Sequence, residues 1–439
     1  MDPIITVSLM TALMLFLIAF GMPIAFAVGV AGSLGIVLLQ DVATLLYTVG
    51  TFPVSRVGTF TWTIIPLFVL MGNLAQASGL ASDAYELANK LVGRLKGGLV
   101  LATIGACGLI AATTGSGATG TAVMGKIAVP EMRKYGYDMT LATGATASAG
   151  TVGILIPPSG SLVIIGVLAE LSIGKLFLAG ILPGILSVLI YMAMVNVRCT
   201  INPKLAPVGQ KFSWKERIFS LKKGWGVAVI FVVVIGGLYT GIASAIEVAA
   251  LGCFIALVMV FIAMPRGKSN WVMLKDAVMD TLGLCAMIFT FIIGAGIFSL
   301  FITLSGLIPL VMEFIAGLAL PRILILAMIC ACYIPLGMFF DPLSMVLVTV
   351  PMVFPIVVTG LGFDPIWYAI ITVKLVEISV ITPPVGLNLY IMRGVFPEAS
   401  LGEIIHGCMW FMAMDVITIC ILIAFPAIST WLPSMMWSP

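Results

Sequence analysis

Gly136-Tyr137-Asp138 is followed, 19 residues after its aspartate, by Pro157-Pro158, and Gly362-Phe363-Asp364 is followed at the same distance by Pro383-Pro384. The two aspartates stand 226 positions apart (138 and 364). Near that offset Ser78-Gly79-Leu80 matches Ser305-Gly306-Leu307, and Cys107 falls beside the position of Cys332. Residues 60–170 and 290–395 therefore read as two copies of one unit. Each proline pair lies inside an apolar segment, in Gly150-Thr151-Val152-Gly153-Ile154-Leu155-Ile156-Pro157-Pro158-Ser159 and in Ile381-Thr382-Pro383-Pro384-Val385-Gly386-Leu387-Asn388. Consecutive prolines remove two backbone donors and push the preceding residue out of the α region, so each pair breaks a helix.

The composition says what surrounds these breaks. Of 439 residues, 61% are hydrophobic and 9% charged, and mean hydropathy is +1.23. Soluble domains carry about 25% charged residues, and no water-soluble fold hides this much apolar surface. The apolar runs are long and continuous, unlike the alternating ten-residue segments of a membrane barrel. Helices satisfy their own backbone within the bilayer, so the fold class is all-α and polytopic. Stretches of about 18 or more apolar residues place spans near 4–20, 23–40, 60–78, 139–168, 176–197, 225–240, 245–264, 279–303, 365–392 and 409–432. Met1-Asp2-Pro3 lacks a basic n-region, so the run from Ile4 reads as a retained span and not as a cleaved signal.

The net charge of +3 implies no nucleic-acid surface, because the basic residues sit in short clusters between apolar runs. Lys204, Lys211, Lys215, Arg217, Lys222 and Lys223 form one such loop; Arg266, Lys268 and Lys275 form the next, two spans later, and both fit the cytoplasmic side. The eight cysteines show no metal spacing with the lone His406 and read as small core residues. No G-x-x-x-x-G-K-[ST] motif occurs, which argues against ATP as the direct energy source. A repeat of over 100 residues in such a chain is a feature of secondary transporters.

Segments 99–129 and 323–355 are different from the spans. As one straight helix the first would be about 46 Å long, too long for a core of about 30 Å and too short for two crossings. Lys90, Arg94 and Lys96 precede it and Lys126, Arg133 and Lys134 close it, so both ends carry same-side charge. A re-entrant hairpin fits, with its tip at Thr113-Thr114-Gly115-Ser116-Gly117-Ala118-Thr119-Gly120. Gly337-Met338-Phe339-Phe340-Asp341-Pro342-Leu343-Ser344 stands at the matching place in the second copy, whose flanks hold only Arg322. That charge difference predicts that the copies are inverted. Close packing by small residues is the plainer alternative for one tip, and two tips weaken it.

Asp341 lies in an apolar segment, where a carboxylate costs roughly 2.5–3.5 kcal/mol on insertion scales. Cation coordination is the favoured reading over a structural pair. Carbonyls released at the breaks, with nearby hydroxyls, are suitable hard-oxygen ligands for a small cation. A kink with no ligand remains the alternative. Lys374 and Glu377, at i and i+3, read as a mutually neutralising pair that orients the second broken helix. Glu247 reads as lying near a membrane end, Asp415 as capping contacts between spans, and His406 as interfacial; none is placed in the site.

These stretches resemble the large membrane subunit of tripartite ATP-independent periplasmic (TRAP) transporters. The resemblance rests on Gly21-Met22-Pro23-Ile24-Ala25-Phe26, Ile65-Pro66-Leu67-Phe68 with Gly72, the Gly115–Thr121 tip, Val129-Pro130-Glu131-Met132 with Gly136-Tyr137-Asp138, and the two Pro-Pro segments. It covers nearly the whole chain. Ser379 stands where glycine is expected, and Ser244-Ala245-Ile246-Glu247 replaces a Thr-Pro-Thr-Glu-like run. The resemblance implies an elevator-type sodium symporter of the bacterial inner membrane, with Na+ as coupling ion. It also implies a small four-helix membrane subunit and a periplasmic substrate-binding protein as partners. The implied substrate is a small organic acid such as a C4-dicarboxylate, a sialic acid or another sugar or keto acid.

By the same resemblance, sodium falls to Gly115, Ser116, Gly117, Thr119, Gly153, Asp341, Ser344, Thr382 and Gly386, and substrate to Ser116, Ser159 and Asn388. The implied division is scaffold 1–59, transport repeat 60–175 (hairpin 99–129, broken helix 139–168), scaffold 176–278 with the basic loop 198–223, transport repeat 279–395 (hairpin 323–355, broken helix 365–392) and a C-terminal scaffold helix in 396–439. A binding-protein-independent sodium–carboxylate symporter is the nearest rival, followed by a channel. An intramembrane enzyme is disfavoured by the lack of any nucleophile–base or metal motif.

Overall fold

In the computed structural model of the chain, residues 2–114, 117–207, 209, 212–262, 270–317, 320–337 and 340–436 are described. Among these residues every regular element is helical. The first group is α1 (Pro3–Ala19), α2 (Ile24–Leu39), α3 (Val42–Val57), α4 (Ile64–Ala77, entered by a 3₁₀ turn at Phe60–Thr63) and α5 (Leu80–Val92). Then follow α6 (Gly98–Thr114), α7 (Gly117–Lys134), α8 (Met139–Val152), α9 (Gly160–Leu168) and α10 (Ile173–Ile201). The middle of the chain holds α11 (Trp214–Lys223), α12 (Trp225–Tyr239), α13 (Ala245–Ile262), α14 (Asn270–Leu304) and α15 (Leu307–Gly317). The last group is α16 (Arg322–Gly337), α17 (Pro342–Pro355, ending in a π turn at Ile356–Gly360), α18 (Pro365–Ile381), α19 (Leu387–Val395), α20 (Leu401–Ala424) and α21 (Ala427–Ser434).

Six helical stretches among the described residues are long and apolar enough to cross a bilayer; α11 and α12, bent by 55°, make a seventh if taken as one. The difference from the ten spans read in the sequence is one of length. Helices α1, α2 and α16 have 16 or 17 residues, about 25 Å at 1.5 Å per residue. The spans expected at 139–168 and 365–392 are each split at their proline pair into a longer and a shorter helix. Conversely, α14 has 35 residues, about 52 Å, so its charged start at Lys275, Asp276 and Asp280 extends beyond any hydrocarbon core.

The two copies share their local geometry. Gly136 (φ 75°) and Gly362 (φ 72°) both turn left-handed and are followed by helix-capping aspartates. Asp138 accepts from the Leu141 amide and Asp364 from the Trp367 amide, each at 2.8 Å. Gly79 (φ 84°) and Gly306 (φ 67°) likewise follow serines whose hydroxyls donate to the carbonyl three residues back, Ser78 to Ala75 and Ser305 to Ile302, both at 2.7 Å. From Ser78 onward the order of helices also recurs, α5 to α9 against α15 to α19.

Packing relies on close backbone approach, as expected where helices meet without a hydrophobic drive between them. A Cβ on Gly32 of α2 would lie 2.7 Å from Phe298 Cα of α14, and one on Gly144 of α8 would lie 2.4 Å from the Gly407 carbonyl carbon of α20. Two apolar cores result, one around α4, α14, α17 and α18 and one around α6, α7, α8 and α20. The reading of all cysteines as core residues is corrected here: Cys332 and Cys420 are exposed on the isolated chain. Both lie on apolar helices, so their surroundings are lipid or another protein. Glu247 closes a cap with Ser244 at the exposed start of α13, as a residue near a membrane end would. In the turn before α3, the Thr44 amide and hydroxyl hold the Asp41 carboxyl below its ordinary value.

Candidate functional site

A cavity of about 400 Å³ lies where the two tips and the two breaks meet. It is within the usual 300–1,000 Å³ of small-molecule sites. Gly117 and Thr119 line it from the start of α7, Asp341 and Leu343 from the start of α17, Pro158 and Ser161 from the first break, and Leu387 from the second. Asn73 closes it from α4, held by a 2.9 Å hydrogen bond from its Nδ2 to Thr281 Oγ1 of α14. Tips and breaks that are far apart in sequence thus face one space.

The first tip reaches the cavity because α7 and α8 touch backbone to backbone. A Cβ on Gly150 would lie 2.1 Å from Thr121 Oγ1 and 2.7 Å from the Gly117 carbonyl. At the second tip, a Cβ on Gly337 would lie 1.8 Å from Ser379 Cβ. Each tip therefore packs on the helix that runs into the break of its own copy. Asp341 also has a local task as the N-cap of α17. Its carboxylate accepts from the Leu343 and Ser344 amides at 3.1 and 3.3 Å and from the Ser344 hydroxyl.

At the first break, the Ile154 amide donates to Thr151 and the Leu155 amide to Val152, which draws Gly153 to Leu155 into a tightened turn. Both Pro157-Pro158 and Pro383-Pro384 are cis. The Ser159 hydroxyl donates to the Ile154 carbonyl and its oxygen caps α9 at the Leu162 amide, so this side chain closes the break locally. At the second break, the Thr382 hydroxyl donates to the Ile378 carbonyl at 2.7 Å. Gly386, at φ 45° and ψ 86°, opens α19, and a Cβ there would approach the Thr382 carbonyl to 3.0 Å. Asn388 is fully buried and donates from Nδ2 to the Ala147 carbonyl of α8 at 3.0 Å, while its Oδ1 has no partner. The Ala147 carbonyl also accepts from Thr121 Oγ1 at 3.2 Å.

Of the residues expected in the site, Gly117, Thr119 and Asp341 line the cavity. Ser344 stands behind Asp341, and Asn388 is one residue beyond the lining Leu387. Gly153, Ser159, Thr382 and Gly386 shape the breaks and do not line it. Gly115 and Ser116 fall outside the described residues. Sequence reasoning misses Asn73 and Ser161. An amide inside the apolar run 60–78 was the available signal for Asn73; Ser161 has none beyond its closeness to the break.

A second cavity, of about 720 Å³, follows the same helices α9, α14 and α17 further along their lengths, with Trp62, Glu170, Ser299 and Thr303 on its walls. A third, of about 370 Å³ between α6, α10 and α12, is lined by apolar side chains and glycine.

The other buried polar cluster lies beside the first break. Lys374 Nζ donates to Glu377 Oε2 and to Asp415 Oδ1, each at 2.7 Å, and Tyr191 donates to Asp415 Oδ2 at 2.7 Å. Lys374, Glu377 and Asp415 have no exposed surface. The expected Lys374–Glu377 pair is present, and Asp415 joins it as a third member. Among the described residues no three His, Cys, Asp or Glu side chains are grouped to hold a metal.

The family described as Tripartite ATP-independent periplasmic transporter, DctM component, matches residues 11–428. The C4-dicarboxylate TRAP transporter large permease protein DctM of Pseudomonas aeruginosa is 32% identical over 93% of this chain and 94% of its own length. The protein of the same description from Vibrio cholerae is 30% identical over 99% of this chain and 98% of its own. Among solved structures, the Alcanivorax borkumensis YdaH transporter superposes with a TM-score of 0.62 at 15% identity, covering 89% of this chain and 90% of that one. That likeness concerns the fold alone, an all-helical, multi-pass membrane protein.

Proposed function

This chain belongs to the tripartite ATP-independent periplasmic transporter family as its DctM component, and from that premise we propose a sodium-driven, elevator-type import of a small organic acid. The chain is the membrane subunit of a secondary transporter for small organic acids that a periplasmic binding protein delivers. Its place is the bacterial inner membrane. A small four-helix membrane subunit completes the assembly. C4-dicarboxylates head the substrate list, because both relatives above carry that description.

The observation that carries the reading is the cavity that places Thr119 and Asp341, from the two tips, around one space between the two breaks. In this reading α6–α7 and α16–α17 are re-entrant hairpins of inverted repeats, and they move with the broken helices α8–α9 and α18–α19. The oxygen atoms there fit sodium: a carboxylate, hydroxyls, carbonyls and the partnerless Asn388 Oδ1 are hard donors of the kind a small hard cation takes. Asp341 and Ser344 would hold one ion at the second tip with Thr382 and Gly386. Gly115 to Thr119 would hold another at the first tip with Gly153. Substrate would lie between the tips, near Ser116, Ser159 and Asn388, with Ser161 and Asn73 on the cavity wall.

A tenfold sodium gradient supplies about 1.4 kcal/mol per ion. Two ions entering with a dianion would be electroneutral and support roughly 100-fold accumulation. The test is uptake of labelled C4-dicarboxylate into proteoliposomes under sodium and potassium gradients, with and without the two partners. Sodium-driven uptake that needs both partners is expected. Sodium-driven uptake by this chain alone would replace the reading with the binding-protein-independent symporter.

A further inference from the structure

The cluster around Lys374 does not balance its charge. One ammonium faces two carboxylates, all three without exposed surface, and among the described residues no second cation pairs with either acid. The groups arrayed against it are few. Tyr191 comes from α10 and Asp415 from α20, with Cys408 on the same helix behind it; Thr151 of α8 stands near Tyr191 and the Leu155 amide near Glu377. An uncompensated carboxylate this deep is expensive, and two acids sharing one site do not both ionise readily.

The hydrogen bonds distinguish the two acids. Asp415 has both oxygens occupied by donors, Lys374 Nζ on Oδ1 and the Tyr191 hydroxyl on Oδ2. Lys374 spends two N–H groups on the acids, and its ammonium lies 5.8 Å from the centre of the Tyr191 ring. Lys374 and Asp415 thus form a complete ion pair. Glu377 accepts from Lys374 at Oε2, and its Oε1 is buried with no hydrogen bond, the nearby Leu155 amide donating to the Val152 carbonyl. We propose that Glu377 is a proton-binding site: at neutral pH it holds a proton on Oε1, which makes the Lys374–Glu377–Asp415–Tyr191 cluster neutral.

The proton comes from bulk water and returns there, and no bond other than O–H forms or breaks. The site is separate from the oxygen atoms assigned above to sodium and substrate, and it does not depend on that assignment. It stands next to the first break. Losing the proton would therefore place a full negative charge beside Leu155 of that break.

Infrared spectroscopy of the purified chain reads the proton directly. The wild type at neutral pH should show a carboxylic-acid C=O band that shifts in heavy water and disappears as pH is raised. Glu377→Gln should remove the band. Asp415→Asn should remove it too, because Lys374 would then pair with an ionised Glu377. Asp341→Asn should leave it in place. A wild type with no such band, or a band that survives in Glu377→Gln, would overturn the proposal. Glu377→Gln is an isostere of the neutral acid; if it does not purify, Glu377→Asp serves, since it should move the band, and an unmoved band would overturn the proposal.

Discussion

Asn388 Nδ2 donates a 3.0 Å hydrogen bond to the Ala147 carbonyl, 241 residues away, and so ties the helix after the second break to the helix before the first. The opposite end of the same amide, Oδ1, is buried with no partner. One side chain therefore both fastens the two copies together and presents a free oxygen between them. Removing it with Asn388→Ala should cost about 0.5–1.5 kcal/mol, the range for one intramolecular hydrogen bond whose acceptor, the Ala147 carbonyl, keeps its bond from Thr121. Thermal unfolding in detergent measures this, and Asn388→Ala should also blunt stabilisation by sodium. Full sodium stabilisation in the variant would remove Oδ1 from the ion site.

Asp341 caps α17 and lines the cavity. Its structural role and its proposed ion-binding role separate on substitution. Asn also caps helices well, whereas loss of a cap to Ala costs about 1 kcal/mol. Asp341→Asn should keep the sodium-free melting temperature and Asp341→Ala should lower it. Sodium at ten times its dissociation constant should add about 1.4 kcal/mol to the wild type and much less to either variant. Wild-type sodium dependence in Asp341→Asn would mean that the carboxylate is a cap only.

Gly32 and Gly144 sit at close backbone crossings outside the site, α2 on α14 and α8 on α20. Alanine at either should destabilise by about 1–3 kcal/mol through overpacking. Gly236, whose Cβ would meet nothing within 4 Å, is the control and should lose no more than the helix-neutral change. Equal melting temperatures across all three would contradict the described packing.

Lys374→Met leaves two buried acids without their cation, a change in the class that costs about 3–5 kcal/mol. Adding Asp415→Asn removes one of those acids. The double variant should therefore be more stable than Lys374→Met alone, a coupling readable in a double-mutant cycle. A double variant whose loss equals the sum of the two singles would show that the groups do not act together.

The breaks and their flanking caps are legible in the sequence because prolines, glycines and capping aspartates act locally, within a turn of where they stand. Gly136-Tyr137-Asp138 and Gly362-Phe363-Asp364 form the same turn for that reason. The lengths of helices are less legible: α3 and the amphipathic α5 carry no long apolar run, and the apolar α15 has only 11 residues. Least legible are contacts that only the tertiary fold creates. Lys374 and Glu377 share a helix face and can be paired by spacing, but Asp415 is 41 residues beyond Lys374, and Tyr191 is 224 residues from Asp415. No periodicity connects them. Asn73 is detectable as a misplaced amide, but its partner Thr281 is not.

Those same contacts bear on which parts of the chain can move apart. The bonds of Lys374 run from α18 to α20, and those of Asp415 on to α10. Pulling any of the three helices away would expose an ammonium or a carboxylate to an apolar interior with nothing to replace the lost partner. Glycine contacts at Gly144 and Gly407 bind α8 to α20 in the same way. Helices α8, α10, α18 and α20 therefore act as a single rivet plate through the middle of the protein. In the proposed elevator these four helices would have to travel as one body.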